Sequence, residues 1–327
     1  MSSEPLLSVR HLSVDFIMQD GQLGHALEDV SFDVFQGHTL GLVGESGCGK
    51  TTTLMAIMRL LPANARITAG QVLYNGQDLL SLSERHMRDF RWRDMSIVFQ
   101  GAMNALNPVM RIDEQIGEAI LLHHLMNHAQ ASRRVGELME MVGIPQERAG
   151  QYPHEYSGGM RQRAMIALAL ACAPSILFAD EPTTALDVMI QAQVLELLKS
   201  IQEKLGLAIV LVTHDLGVVA EVCDSVTVMY GGKVAESGTA DSIYNAPQHP
   251  YTERLLQAFP DLNRPEGDLA SIPGTPPRVT DLPPGCRFEP RCHKRIEICA
   301  TTPPPMLETA PGHLAACHLC KGPVSRI

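Results

Sequence analysis

Residues 44–51 have the composition and spacing of a loop that binds phosphate groups. They read Gly-Glu-Ser-Gly-Cys-Gly-Lys-Thr, which matches the pattern G-x-x-x-x-G-K-[ST] between a short apolar run and a predicted helix. Glycines let the backbone wrap around phosphates with its N–H groups pointing inward, and the dipole of the following helix favours the same anion. We expect Lys50 to reach the β- and γ-phosphates and the Thr51 hydroxyl to bind Mg²⁺. The chain is therefore predicted to bind a nucleoside triphosphate.

Cys48 lies inside this loop and has two interpretations. We prefer the one in which a small side chain fills a slot that serine would also fit. In the other, Lys50 and the start of the helix lower the pKa of an exposed thiol and make that thiol reactive.

Two carboxylates, Asp180 and Glu181, follow an apolar run that is typical of a buried strand. Asp180 is suited to the Mg²⁺ side of a nucleotide site, acting through a bound water. Glu181 is suited to orient a water molecule in line with the γ-phosphate. A strand that simply ends in solvated acids has the same local pattern, but the phosphate loop earlier in the chain favours catalysis.

Ser157, Gly158 and Gly159 precede a long apolar helix and form a second candidate anion site. Ser157 is suited to cap the helix, and the two glycines expose its first backbone N–H groups. An ordinary helix cap is the commoner meaning of such a stretch. One chain does not need two phosphate sites for one nucleotide, whereas two chains that face each other do.

Five of the eight cysteines lie between positions 286 and 320, and in a reducing compartment such a cluster indicates metal rather than disulfides. Consecutive members are separated by five, six, 17 and two residues. Structural zinc favours close pairs, and only the last pair has that spacing. Four well-spaced thiolates are typical of a [4Fe–4S] cluster, with zinc and free thiols as the alternatives. The five are Cys286, Cys292, Cys299, Cys317 and Cys320.

Strands that alternate with helices must position these residues, and they imply a parallel sheet that is covered on both faces. Helical spacing over residues 113–142, within a stretch from about 105 to 170, interrupts the alternation and predicts an inserted helical lobe. Asn75-Gly76 predicts a hairpin turn. The predicted strands are residues 12–16, 31–35, 39–43, 96–99, 175–179, 207–212, 226–230 and 233–236, and the predicted helices are residues 51–61, 158–172 and 187–205.

The composition changes after residue 258, because 12 of the 22 prolines lie between Pro260 and Pro311. We therefore predict that this segment cannot continue a regular sheet and is either a linker or a small separate domain. The predicted domains are residues 1–258 and residues 259–327.

The 327 residues carry 26 basic and 36 acidic side chains, a net charge of −10 that argues against a general nucleic-acid binder. No apolar run approaches the roughly 20 residues that span a bilayer. The first residues lack the pattern of a secretory signal. We expect the chain to stay in the cytosol, with any membrane spans supplied by a partner.

The ordered set of motifs over about residues 5–255 resembles the nucleotide-binding subunit of an ABC transporter. Residues 44–51 correspond to its Walker A motif, Asp180 to the end of Walker B, and Tyr156-Ser-Gly-Gly-Met160 to its LSGGQ signature with the first and last positions replaced. Gln100 matches the Q-loop, residues 185–187 the D-loop and His214 the switch histidine. The resemblance implies a P-loop (RecA-like) α/β core with an antiparallel β subdomain, an inserted α-helical subdomain and a Pro/Cys-rich C-terminal extension.

The resemblance also assigns roles to individual residues. Two chains close head to tail around two ATP molecules, each lying between one Walker A motif and the other chain's signature. The implied catalytic residues are Glu181, His214 and Gln100, and the implied Mg²⁺ contacts are Thr51, Gln100 and Asp180. The implied nucleotide contacts are Phe16 (stacking on adenine), Gly44, Glu45, Ser46, Gly47, Cys48, Gly49, Lys50, Thr51, Thr52, Gln100, Asp180, Ser157, Gly158, Gly159 and Asp187.

Finer features resemble the ATPases of peptide and nickel importers. They are residues 43–47, 99–108, 153–162, 248–252 and 273–277, together with the Cys-rich end, in which some members hold a [4Fe–4S] cluster on the equivalents of Cys286, Cys292, Cys299 and Cys317. This likeness implies a second, paralogous ATPase subunit, two membrane-spanning permease subunits, a periplasmic binding protein and a place on the bacterial inner membrane. The implied cargo is dipeptides, with oligopeptides or nickel as alternatives. A soluble ABC ATPase of translation or DNA repair is disfavoured, because the chain has one Walker A motif and no extended heptad repeat.

Overall fold

The computed structural model describes residues 4–101, 105–184, 186–258 and 272–321. It divides the chain into two compact units. Of the described residues, those within 35–39 and 81–212 form the first unit, and those within 4–34, 40–80 and 213–321 form the second. Some predicted features lie outside the described residues: residues 1–3, residues 102–104 of the Q-loop segment, Ala185 of the D-loop and the proline-rich residues 259–271.

Strands and helices alternate along most of the described chain. The strands are β1 (Leu7–Ile17), β2 (Leu23–Val34), β3 (Thr39–Val43), β4 (Ala65–Tyr74), β5 (Gln77–Asp78), β6 (Met95–Val98), β7 (Ile176–Asp180), β8 (Ala208–Thr213), β9 (Ser225–Tyr230), β10 (Lys233–Thr239), β11 (Leu307–Ala310) and β12 (His313–Ala315). The helices are α1 (Lys50–Ile57), α2 (Glu84–Phe90), α3 (Ile112–Leu122), α4 (His128–Met141), α5 (Gly158–Ala169), α6 (Val188–Leu205), α7 (Leu216–Val222), α8 (Ala240–Asn245) and α9 (Pro250–Gln257).

In the first unit, three strands form a parallel ladder in the order β8–β7–β6. Every residue of β7 and β8 is buried, as expected for parallel strands that are covered on both faces. Helices α3, α4 and α5 stand between β6 and β7 in the chain. The predicted helical interruption of the strand–helix alternation is therefore present.

The helical stretch contains a defined break between α3 and α4. His124 has a positive φ of 53° just after α3 ends. Asn127 then caps α4: its side chain accepts a hydrogen bond from the Gln130 backbone N–H at 3.0 Å, and the Gln130 side chain accepts one from the Asn127 N–H at 3.0 Å. This reciprocal pair satisfies two N–H groups that would otherwise lack partners and starts a new helix.

The second unit contains an antiparallel sheet in the order β2–β1–β4–β5. Asn75 and Gly76 form the predicted hairpin turn with φ values of 46° and 79°, as a tight primed turn requires. The unit also contains the ladder β11–β12–β10–β9–β3, in which β3 pairs in parallel with β9. Tyr251 and Phe288 are among the largest fully buried side chains beside this ladder.

The prediction that the proline-rich C-terminal segment cannot continue a sheet was wrong. β12 pairs with β10, through Glu236 opposite Ala315 and Ser237 opposite Leu314, and β11 pairs with β12. The reason is local composition: residues 306–310 and 313–315 contain no proline, so their backbone N–H groups remain free to form a ladder. The helix predicted over residues 51–61 also ends earlier, because Arg59 adopts a φ of 52°.

Among the described residues, no helix combines the length and the apolar character that crossing a bilayer requires.

Candidate functional site

The phosphate loop connects β3, whose five residues are all buried, to the start of α1. Gly44 has a φ of 149°, and a Cβ at this position would overlap the backbone oxygen of Met229. Gly49 caps α1 with a φ of 107°, and a Cβ there would lie 2.6 Å from Leu27 Cδ2. Both positions therefore require glycine, which holds the loop in its tight curve against β9. The motif is placed between a strand and a helix, as it must be to bind phosphate.

Lys50 is the cation of this loop. Its side chain is buried, with 6% of the residue exposed, and its Nζ donates hydrogen bonds to Gly44 O at 2.7 Å and Glu45 O at 3.0 Å. Ser46, Gly47 and Thr51 are exposed. The loop thus holds a lysine cation next to accessible backbone, a combination that suits an anion site.

Cys48 is buried, with 2% of the residue exposed. Burial raises the pKa of its thiol, and the opposing effect of the nearby Lys50 ammonium is smaller. The hypothesis of an exposed thiol with a lowered pKa was therefore wrong. The side chain fills a small internal slot, as we preferred.

The loop is also bound by residues that sequence reasoning missed. Glu45 accepts two hydrogen bonds from the guanidinium of Arg291, at 2.6 and 2.9 Å, and its backbone N–H donates to the hydroxyl of Tyr251 at 2.9 Å. The side chain of Arg291 is only 5% exposed. No local pattern identifies these partners, because they stand 246 and 206 positions from Glu45 in the chain.

In the first unit, Asp180 is the last residue of β7, one residue past the predicted end of the strand, and Glu181 follows it. Asp180 is 1% exposed, and Glu181 adopts a left-handed φ of 46° while its N–H donates to Val212 O at 2.9 Å. Glu181 Oε2 accepts hydrogen bonds from Gln100 Nε2 at 2.7 Å and from Thr184 Oγ1 at 3.0 Å. Two predicted catalytic residues, Gln100 and Glu181, are thus in direct contact. A non-glycine residue in this backbone region is strained, which is typical of functional sites.

Ser157 caps α5, because its hydroxyl accepts a hydrogen bond from the Met160 N–H at 3.3 Å. Gly158 and Gly159 form the first turn of the helix, where backbone N–H groups are not used within the helix. A Cβ on Gly159 would lie 2.8 Å from Ile190 Cγ2. The motif is therefore a helix cap and at the same time carries N–H groups suited to an anion.

Asp187 caps α6 by accepting a hydrogen bond from the Ile190 N–H at 3.0 Å. Because Ile190 also lies against Gly159, the start of α6 and the start of α5 pack together. Asp187 of the predicted D-loop and Gly159 of the predicted signature thus lie at the N-termini of two helices that are in contact through Ile190.

The remaining predicted residues belong to the second unit. His214 is exposed just after β8, where Asp215 caps α7. Phe16 is half-buried in β1, opposite Gly24 of β2 and Ala65 of β4.

Four cysteines of the C-terminal segment are close enough to influence one another electrostatically. Burial, with a smaller contribution from the nearby Cys299, Cys292 and Cys317, raises the pKa of Cys286 to about 11. A hydrogen bond from Cys320 lowers the pKa of Cys317 to about 6. Across the described ranges, no three or more His, Cys, Asp and Glu side chains are grouped so that they could hold a metal ion.

The sequence of this chain is similar to known families and proteins. Residues 27–184 match the family described as ABC transporter, and residues 235–299 match the C-terminal region of oligopeptide/dipeptide transporters. The chain is 49% identical to the dipeptide transport ATP-binding protein DppD of Bacillus subtilis, over 97% of this chain and 95% of the relative. It is 45% identical to the oligopeptide transport ATP-binding protein OppD of Escherichia coli, over 96% and 93%.

Solved structures of ABC transporter cassettes are also similar to this chain. The dimeric bacterial ABC transporter cassette MJ0796 is similar with a TM-score of 0.64 and 27% identity, covering 72% of this chain and 98% of that one. A second structure of that cassette, a dimer in a post-hydrolysis state bound to ADP and phosphate, matches equally well.

Proposed function

Because the chain belongs to the ABC transporter family, we propose that it is the ATP-hydrolysing subunit of an importer that takes up dipeptides. The observation that carries the choice of peptides as cargo is the match of residues 235–299 to the C-terminal region of oligopeptide/dipeptide transporters, and the 49% identity to a dipeptide transport protein favours dipeptides. This region lies outside the matched ATPase core at residues 27–184, so it distinguishes peptide importers from other ABC ATPases.

The phosphate loop binds the nucleotide. Lys50 contacts the β- and γ-phosphates, and the backbone N–H groups of residues 44–51 surround them. The exposed positions of Ser46, Gly47 and Thr51 support this role, because these groups are accessible to a ligand. Phe16 stacks on the adenine ring.

The Thr51 hydroxyl, the Gln100 amide oxygen and, through water, the Asp180 carboxylate would hold Mg²⁺. This donor set consists only of oxygen atoms, which is the chemistry that Mg²⁺ prefers. Such an ion would supply positive charge to neutralise the phosphates during phosphoryl transfer.

Glu181 orients the attacking water and accepts its proton, while the water oxygen forms a bond to the γ-phosphorus and the bond to the leaving ADP oxygen breaks. The hydrogen bonds from Gln100 and Thr184 fix the carboxylate in one orientation, which supports this positioning role. His214, the predicted switch histidine, lies near the γ-phosphate and assists its hydrolysis.

Hydrolysis requires two chains. The N–H groups of residues 157–159 bind the γ-phosphate of a nucleotide held by the partner chain, and Asp187 lies at the same interface. The dimeric state of the similar cassette bound to ADP and phosphate supports this arrangement. The partner is a second, paralogous ATPase subunit.

The complex resides on the cytoplasmic face of the bacterial inner membrane. Two permease subunits provide the membrane spans, and a periplasmic binding protein delivers the peptide. The names of the similar dipeptide and oligopeptide transport proteins support a role in peptide transport, which requires such membrane partners.

Cys286, Cys292, Cys299 and Cys317 would hold a [4Fe–4S] cluster, whose role would be structural. Cysteine thiolates are the ligands that such clusters take. Their mutual electrostatic influence supports this set of ligands. Anaerobically purified chain should contain four iron atoms per chain and absorb visible light, and Cys292→Ser should lose both. Stoichiometric zinc without iron would contradict the cluster.

Reconstitution tests the function. The chain is assembled with its permease subunits and paralogous ATPase in proteoliposomes, and ATP hydrolysis is measured with binding protein loaded with dipeptides, longer peptides or nickel. We expect dipeptides to stimulate hydrolysis most and to accumulate inside. Hydrolysis that ignores the membrane partners would overturn the transport role in favour of a soluble ABC ATPase.

Oligopeptides are a second candidate cargo, favoured by the 45% identity to an oligopeptide transport subunit. Greater stimulation by tetrapeptides or pentapeptides than by dipeptides would support this candidate. Nickel-dependent stimulation without peptide would contradict both.

A further inference from the structure

The C-terminal segment at residues 286–292 binds directly to the phosphate loop. Arg291 lies in this segment, next to Cys292, and forms a two-pronged ion pair with Glu45, the second residue of the loop. Both hydrogen bonds are short, at 2.6 and 2.9 Å, and the guanidinium is almost fully buried. A bidentate, charge-assisted pair fixes both distance and orientation.

Arg291 also binds the strand that closes on the loop. Its guanidinium donates to the Tyr230 hydroxyl at 3.1 Å and lies 5.7 Å from the centre of the Tyr230 ring. Tyr230 follows Met229, whose backbone oxygen lies against Gly44. A single side chain therefore connects Glu45 to the end of β9.

A second arginine of the same segment binds residues that neighbour the loop. Arg287 donates to Gly231 O and to Glu28. The neighbouring Gly232 N–H donates to Cys48 O at 3.0 Å. The segment thus contacts the loop directly at Glu45 and contacts Gly231, the neighbour of the residue that binds Cys48.

We propose that Arg291 is a positioning residue for ATP binding, through which the C-terminal segment holds the phosphate loop in its binding shape. The inference rests on nucleotide binding at this loop, as proposed above. Glycines at positions 44, 47 and 49 all have positive φ, so the loop itself is conformationally permissive. The ion pair with Arg291 adds an external restraint to the hydrogen bonds that Lys50 forms within the loop.

The pair has a second consequence for an anionic ligand. Glu45 places a carboxylate inside a loop that must attract phosphate. Arg291 neutralises this charge and keeps the carboxylate turned toward the C-terminal segment. Without Arg291, the carboxylate would repel ATP as well as leaving the loop unrestrained.

The test uses the full chain and measures ATP affinity by competition against a fluorescent ATP analogue. Arg291→Gln should raise the dissociation constant for ATP about 10-fold or more, as expected for the loss of charge-assisted hydrogen bonds. Arg291→Lys, which keeps the charge but not the bidentate geometry, should give an intermediate value. In the assembled transporter, KM for ATP should rise more than kcat falls.

A double variant isolates the effect of the unpaired carboxylate. Adding Glu45→Gln to Arg291→Gln removes that carboxylate, so the double variant should bind ATP more tightly than Arg291→Gln alone. Thermal melting of the same variants separates positioning from loss of stability, because a merely structural role predicts that ATP affinity falls only as far as the melting temperature does. Arg295→Gln, which alters an exposed arginine of the same region paired with Glu289, is the matched control and should bind ATP like the wild type.

Two results are distinguished. If the wild-type chain fails to bind ATP, the proposed function itself fails. If the wild type binds ATP and loses it with Lys50→Ala, but Arg291→Gln and Arg291→Lys bind it as the wild type does, the positioning role alone is refuted.

Discussion

Replacing Glu181 with glutamine removes a negative charge and changes little else. The carboxylate oxygen that accepts hydrogen bonds from Gln100 at 2.7 Å and Thr184 at 3.0 Å has a counterpart in the glutamine carbonyl. The left-handed backbone at this position, with a φ of 46°, has the same conformational energy penalty for glutamine as for glutamate. The folded structure and ATP binding should therefore persist in Glu181→Gln.

The chemical step should be strongly impaired. An uncharged amide cannot accept the proton of the attacking water, and a positioned general base contributes about 10²–10⁴-fold to a rate. This range corresponds to about 3–5 kcal/mol in the activation barrier. Because ATP binding is retained, the variant should trap ATP between the two chains.

The assay measures kcat and retained nucleotide in the assembled transporter. Glu196→Gln, the same chemical change on an exposed position of α6, is the control and should leave both values unchanged. Thermal melting of Glu181→Gln should match that of the wild type. Normal ATP turnover by Glu181→Gln within its complex would refute the assignment of Glu181 as the residue that activates water.

Three further predictions follow from particular residues. Gly44→Ala should abolish ATP binding, because its Cβ would overlap the Met229 backbone oxygen; Gly21→Ala, also at a positive φ but with open space around it, should bind ATP normally. Ser157→Ala removes a helix cap and should lower the free energy of unfolding by about 1 kcal/mol in urea titrations, so an unchanged value would contradict the cap. Burial lowers the pKa of His249 from 6.5 to about 4, so the unfolded chain takes up the proton first. The free energy of unfolding should fall by up to about 3 kcal/mol as the pH drops from about 6.5 to about 4. His249→Asn should reduce the dependence of the unfolding free energy on pH. If that dependence were unaltered, it would have to come from other titrating groups.

The nucleotide-binding loop could be predicted because its signal is local. The pattern of residues 44–51, the apolar run before it and the helix after it are all adjacent in the chain. β3 spans Thr39–Val43, the range that was predicted, because a fully buried parallel strand is a continuous apolar run. The same reasoning located β7 and the acids at its end.

The C-terminal segment shows where local reasoning failed. A high proline content suggested that it could not join a sheet, yet β12 pairs with β10. Proline prevents strand pairing only where it stands, and the residues of β11 and β12 contain none. Buried contacts then selected the pairing: His313 Nε2 lies 2.7 Å from Glu236 Oε1, and both side chains are buried.

The amino-acid sequence by itself determined which chemistry the chain can perform, since phosphate binding, a strand-end carboxylate and a capped helix start each depend on a few neighbouring residues. Only the tertiary structure decided how these groups are restrained. The ion pair between Glu45 and Arg291 joins positions 246 residues apart, and the left-handed backbone of Glu181 is held by a hydrogen bond to Val212 on a neighbouring strand. Such contacts arise from packing of the whole chain, where burial selects one partner among many chemically equivalent side chains, and no local pattern records that selection.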